Sequence, residues 1–215
     1  MTPPSADRAT NRARGRYFCR SMAPLYDFLE GAIERSRYRQ WRKLLWGKVE
    51  GKRILEVGVG TGKNLSYYPP DVAITAIDFS EKMLARARKK AAKQNVRVNL
   101  LQADVQKLEF PEDTFDTVVG TFVFCSVPDP VKGLMEVERV CKPGGQVLLL
   151  EHVLSSKRVL AALMKLVNPV VVRMMGPSIT RRTVGNVIKS GLIVVRVTDL
   201  GAAGIFKLIE AKKAG

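Results

Sequence analysis

From Arg53 onward, short apolar runs alternate with helical segments, and this alternation limits the possible folds more than any other feature of the chain. Residues 54–57, 73–77, 96–101, 117–122 and 146–151 read as buried strands, because each is a continuous apolar run bounded by turn residues. Helical patterning fills the gaps. Over 80–93, Ser80 is placed as N-cap and Glu81 falls in the first turn. Over 129–141, Pro130 opens the helix and Pro143-Gly144-Gly145 closes it. Strands and helices alternating at this spacing need right-handed crossovers, which predicts an α/β, doubly wound domain on a parallel sheet.

After Glu151 the alternation lapses into an apolar, basic segment. A helix near 183–190, ended by Gly191, precedes runs at 192–198 and 205–211 that read as a final hairpin-like pair of strands. The 215 residues suit one domain. Ahead of it, the first 16 or so residues form a basic arm, and 17–46 has helical spacing broken at Pro24. The expected organisation is therefore 1–46 as arm and N-terminal helical cap, then 47–215 as the domain, with an apolar basic insertion at about 156–182.

The glycine-rich turn after the first strand, Gly58-Val59-Gly60-Thr61-Gly62, lets backbone approach a ligand closely, and a following helix would offer free N–H groups. Its spacing is G-x-G-x-G, with Lys63 where a dinucleotide fingerprint carries its third glycine. A G-x-x-x-x-G-K-[ST] phosphate loop is also excluded. Asp78 ends the second strand and can accept both hydroxyls of a ribose. Asp104 ends the third and can accept from an adenine amino group. Three such features at consecutive strand C-termini converge on the crevice where open α/β sheets bind ligands.

With these residues the chain resembles the class I S-adenosylmethionine-dependent methyltransferases, over roughly 17–151. The resemblance implies a seven-stranded Rossmann-like sheet of order 3-2-1-4-5-7-6 whose last strand is antiparallel, and S-adenosylmethionine as cofactor. It implies that Glu56 with Gly58, Gly60 and Gly62 holds the methionine part and Asp78 the ribose. Asp104 and Val105 would lie by the adenine, and Phe79 and Met83 would pack on the adenosine. Thr121 and Phe122 would line the sulfonium side.

Within that class the chain is similar to bacterial phospholipid N-methyltransferases. The matching stretches are Leu55 to Gly62, Ile77-Asp78-Phe79-Ser80 with Met83-Leu84, Val127-Pro128-Asp129-Pro130, Glu138-Arg139-Val140 with Lys142-Pro143-Gly144-Gly145, and His152. The implied substrate is a phosphatidylethanolamine head group. Ala23-Pro24-Leu25-Tyr26-Asp27 recurs there and in quinone-ring C-methyltransferases, and implies that Tyr26 covers the donor pocket. Arg39-Gln40-Trp41-Arg42 echoes the quinone enzymes, but their Asn after the Tyr-Asp pair is replaced here by Phe28, Leu29 and Glu30. Cys125-Ser126-Val127 with Pro130 resembles membrane-associated thiol methyltransferases.

Methyl transfer needs orientation and exclusion of water, with no metal or covalent nucleophile. His152, at the end of the fifth strand, is placed to act as base or hydrogen-bonding guide for an amine, and Tyr26 and Tyr17 to orient it. Packing in the core or between helices is the alternative for each. Arg173, Arg181 and Arg182 can pair with phosphate, and 160–172 can lie in a bilayer interface.

The net charge of +16 supports an anionic partner because of where it lies. Residues 1–53 carry +8, 54–156 carry −1 and 157–215 carry +9. A membrane surface is the expected partner and nucleic acid a weaker one, since no RNA-binding module or Asn/Asp-Pro-Pro-aromatic motif is present. Solubility alone, or donor binding without catalysis, remain as simpler readings of the charge and the glycine loop. Three cysteines without metal or redox spacing, a single histidine, no leader and no uninterrupted 18-residue apolar run predict a cytoplasmic protein, peripheral on the inner membrane face.

Overall fold

A computed structural model describes residues 37–155, 157–175, 178–201 and 204–215. Seven strands form one sheet: β1 (Arg53–Val57), β2 (Ala73–Asp78), β3 (Asn99–Gln102), β4 (Phe115–Thr121), β5 (Cys141–His152), β6 (Ile193–Leu200) and β7 (Phe206–Lys212). The order is β3-β2-β1-β4-β5-β7-β6, as expected. β1 to β5 are parallel, and β7 is antiparallel to both β5 and β6. The described helices are α1 (Arg39–Trp46), α2 (Glu81–Gln94), α3 (Pro130–Val140), α4 (Arg158–Met175) and α5 (Thr183–Lys189).

Strand residues alternate between two cores, as the pleat requires. Leu55, Val57, Val118, Val147 and Leu149 pack with Leu134 and Val137 of α3 and Val187 of α5. Ile54, Val119, Leu148 and Leu150 pack with Leu45 and Trp46 of α1 on the opposite face. Each buried Leu or Ile contributes about 1.5–3 kcal/mol, so the central strands anchor everything at their C-terminal ends.

Several local expectations are corrected. No α-helix follows the glycine loop, only a 3-10 turn at Leu65–Tyr67. Pro69 forces Tyr68 into extended backbone (φ −60°, ψ 130°), leaving too few residues for a helix. The third strand starts at Asn99 rather than at residue 96, because α2 runs to Gln94 and turns through left-handed Asn95. Pro143-Gly144-Gly145 does not close α3. Cys141 is already extended and opens β5, with a register break opposite Phe115/Thr117. On α1 the buried face is Arg42, Leu45 and Trp46, whereas Leu44 is exposed.

α4 carries the apolar basic segment as an 18-residue helix with Pro169 inside it. Val159, Leu163, Leu166 and Val170, three or four apart, form an exposed stripe, 54–86% accessible. No described helix is long and apolar enough to cross a membrane.

Candidate functional site

The loops after β1, β2, β3, β4 and β5 meet at one edge of the sheet, and the predicted cofactor residues lie on these loops, on the strand ends that lead into them or, for Met83, on α2. The Val59 N–H donates to the Ile77 carbonyl at 2.9 Å, tying the glycine loop to the end of β2. The Gly60 N–H donates to Asp78 Oδ2 at 2.9 Å, and the Ser80 N–H to Oδ1 at 2.8 Å. Burial raises the Asp78 pKa, opposed by those two backbone bonds. Each oxygen keeps a further lone pair for a ligand hydroxyl.

Two glycines differ in what they permit. Gly60 has φ +56° and no described residue within 4 Å of a notional Cβ, so its backbone faces open space among the described residues. Gly58 has φ +68°, and a Cβ there would stand 2.5 Å from Val123 Cγ2, so the β1 and β4 loops interlock at that point. Gly58→Ala is therefore expected to cost roughly 2–4 kcal/mol, from left-handed backbone plus overpacking, read as a fall in urea-unfolding stability.

Glu56 is fully buried beneath the loop. The Asn64 amide donates to Glu56 Oε1 at 2.6 Å and to Thr121 Oγ1 at 3.1 Å. The Tyr68 hydroxyl donates to Glu56 Oε2. Arg42 Nη1 donates to Asn64 Oδ1 at 2.8 Å. Burial drives the Glu56 pKa up to about 7, against the pull of Tyr68, Asn64 and Arg42.

Phe79, next to Asp78 in the chain, is 38% exposed, while Met83 is buried on α2. Asp104 Oδ1 accepts the Gln106 N–H at 2.9 Å, and Gln106 Oε1 accepts the Asp129 N–H at 3.0 Å, so the third-strand acid is fixed against the start of α3. Val105 packs into the core beneath α3.

Phe122 sits at φ +57°, a strained position for an aromatic residue. The following N–H groups of Val123 and Phe124 donate to Glu151 Oε1 at 2.9 and 3.1 Å. Glu151 Oε2 is buried without a hydrogen-bond partner among the described residues, and burial pushes this carboxyl up to about 7 against the pull of the Val123, Phe124 and Cys125 N–H groups. Phe122, Tyr38, Trp41 and Phe206 form a cluster of half-buried rings with centroids 5.1–6.0 Å apart, and Arg42 lies 5.6 Å over Phe122. The His152 ring stands edge-on to Phe206 at 5.2 Å. Its Nδ1 is buried without a partner among the described residues, and burial lowers its pKa, which favours the neutral ring at pH 7.

The three arginines occupy different settings. Arg181 Nη2 donates to the Val127 carbonyl at 2.9 Å and ties the β5–α5 connection to the loop before α3. Arg182 is exposed ahead of α5, and Arg173 is exposed on α4. Tyr17 and Tyr26 lie outside the described residues. Sequence reasoning missed Arg42, Asn64, Tyr68 and Glu151. The available signal was an arginine on the same helix stripe as Leu45 and Trp46, and an acid ending the apolar run of β5.

These residues fit the methyl donor that the resemblance implies. Open space at Gly60, spare acceptor capacity on Asp78 and the exposed face of Phe79 match a ribose and an adenine, and the buried Glu56 carboxyl matches a cationic methionine moiety. A family model described as a methyltransferase domain matches residues 55–149. The chain is 43% identical over 143 residues to a phosphatidylethanolamine N-methyltransferase of Cereibacter sphaeroides, covering 66% of this chain and 70% of that one. It is 39% identical over 141 residues to the ubiquinone/menaquinone biosynthesis C-methyltransferase UbiE of Geobacter sulfurreducens, covering 60% of this chain and 54% of that one. The crystal structure of a putative methyltransferase from Bacillus halodurans superposes with a TM-score of 0.68 at 17% identity, covering 81% of this chain and 98% of that one.

Proposed function

Because the chain belongs to the S-adenosylmethionine-dependent methyltransferases, we propose that it methylates the amine of phosphatidylethanolamine-type head groups at an anionic membrane surface. The observation that carries this reading is the 43% identity to a phosphatidylethanolamine N-methyltransferase over two thirds of both chains. The charge supports it: +8 and +9 flank a nearly neutral middle, and the second basic segment includes the exposed apolar stripe of α4.

When bound, S-adenosylmethionine supplies an electrophilic methyl group on a sulfonium. The chain's residues then have to orient and desolvate the acceptor. Asp78 would hold the ribose and Phe79 would flank the adenine, with Asp104, fixed by Gln106, near the adenine. Glu56 and the glycine loop would take the methionine end, and Thr121 and Phe122 would line the sulfonium side. An ammonium acceptor must lose a proton before its lone pair can attack. Neutral His152 takes that proton or accepts its hydrogen bond, and the resemblance assigns Tyr26 and Tyr17 to orienting the acceptor. Arg173 and Arg182 meet lipid phosphates, while Arg181 shapes the loop before α3. The protein acts peripherally, on the inner membrane face.

A quinone-precursor C-methyltransferase is the second reading. It is favoured by the 39% identity to UbiE and by the rings of Tyr38, Trp41, Phe122 and Phe206, against which a quinone ring can stack.

The test is transfer of label from S-adenosylmethionine into vesicles of phosphatidylethanolamine and an anionic lipid. Label in mono- or dimethylated head groups supports the proposal. Label found only in a quinone precursor sinks it in favour of the second reading. Leu163→Ser with Leu166→Ser should weaken cosedimentation with anionic vesicles roughly 30-fold, from about 2 kcal/mol of lost apolar insertion. Folding should be unaffected, since both side chains are exposed. Unchanged vesicle binding would remove α4 from the membrane contact.

A further inference from the structure

Glu56 lies beneath the glycine loop, with both carboxyl oxygens covered. Its effect on a cationic ligand depends on its charge and on how Asn64 orients it, and both depend on a residue outside the nucleotide-binding motif. We infer that Arg42 is a positioning residue of the methyl-donor site, acting through Asn64 on Glu56 and Thr121 and so making α1 part of the cofactor-binding machinery. This rests on the methyl-donor reading and is independent of the acceptor.

The geometry is a relay across four elements. Arg42 is 5% exposed on the inner face of α1 and donates to Asn64 Oδ1 at 2.8 Å. That bond orients the amide so that both its hydrogens are used, one on Glu56 at the end of β1 and one on Thr121 at the end of β4. The same guanidinium lies over Phe122, the next residue of the reacting wall. A buried guanidinium is costly to desolvate, and an apolar side chain at that position would pack beside Leu45 and Trp46 more cheaply. Arg42 therefore reaches both the methionine side and the sulfonium side of the pocket.

The charged and titratable groups acting on Glu56 are Arg42 from α1, Tyr68 after the 3-10 turn and Asp78 from β2. Arg42 favours the ionised carboxylate and Asp78 opposes it. Loss of the guanidinium raises the pH at which Glu56 ionises, so donor binding at neutral pH should fall and recover as pH rises. A residue that only fills space would lower affinity equally at every pH.

The experiment is calorimetric titration of the full chain with S-adenosylmethionine between pH 6 and 8. Arg42→Met should weaken binding about tenfold or more at pH 7 and move the pH profile upward. Arg42→Lys keeps the charge but not the fork, so it should restore the wild-type profile while recovering only part of the affinity. Wild-type affinity in Arg42→Met overturns the inference, as does equal weakening in both variants with an unmoved profile. If Arg42→Met does not fold, Asn64→Ala carries the test: about fivefold weaker binding with an upward-shifted profile supports the relay, and unchanged binding overturns it. Failure of the wild-type protein to bind the donor would instead count against the methyl-donor reading itself.

Discussion

Asp78→Ala is expected to weaken S-adenosylmethionine binding about a hundredfold or more, the largest single loss available at this site. Two effects combine. On the proposed reading the carboxylate accepts from the ribose hydroxyls, and hydrogen bonds to a charged group are worth about 1.5–3 kcal/mol each. It also holds the Gly60 N–H at 2.9 Å and the Ser80 N–H at 2.8 Å, so its removal frees the glycine loop at the point where its backbone faces open space. Asp78→Asn does not rescue this, because one amide hydrogen bond donor must then face one of those two N–H groups. Calorimetry decides the matter: affinity within threefold of wild type for Asp78→Ala would remove Asp78 from the cofactor site.

The sheet could be read from the sequence because its central strands are buried on both faces and appear as unbroken apolar runs, such as Leu148-Leu149-Leu150. The glycine loop, which the structure ties to Asp78 through the Gly60 N–H, was legible because a turn through left-handed backbone at Gly58, Gly60 and Gly62 demands a fixed spacing. What failed was local and set by tertiary context. Pro69-Pro70 truncated the helix expected after the loop, and Cys141 began a strand where a Pro-Gly-Gly run pointed to a helix end. Arg42 looked like one more charge interleaved on an amphipathic helix, whereas it occupies the buried stripe with Leu45 and Trp46. Asn64 and Tyr68 carry no pattern of their own. Their role exists only because the chain turns back over Glu56, which no residue spacing reveals.

Glu151→Gln is expected to flatten the fall in stability that the wild-type protein shows between pH 5.5 and 8. The sign follows from burial. Glu151 ionises near 4.5 when unfolded and at about 7 in the folded protein. Between those values the native state holds a proton that the unfolded chain has released. The stabilisation is full below 4.5 and is lost as pH rises through 7, on the order of 3 kcal/mol for such a shift. Glu56 behaves alike, with the same rise to about 7, so the variant should lose roughly half as much stability over this window as wild type. Asp116, lowered to about 2 by Lys142, titrates below the window. His152, whose pKa is lowered, has the opposite slope but is common to both proteins. The glutamine oxygen can still accept from Val123 and Phe124. Its amide group lies where Glu151 Oε2 has no partner among the described residues, a cost of about 1–3 kcal/mol that shifts the absolute stability equally at every pH. The diagnostic quantity is therefore the slope, from urea unfolding of both proteins at pH 5.5 and 8. An unchanged slope would mean that Glu151 stays ionised throughout. The stability forgone by ionising Glu151 has a use in the site: the carboxylate gives charge-assisted bonds that hold the loop where Phe122 is kept at φ +57°. The variant should accordingly be more stable relative to wild type at pH 8 than at pH 5.5, and turn over more slowly there.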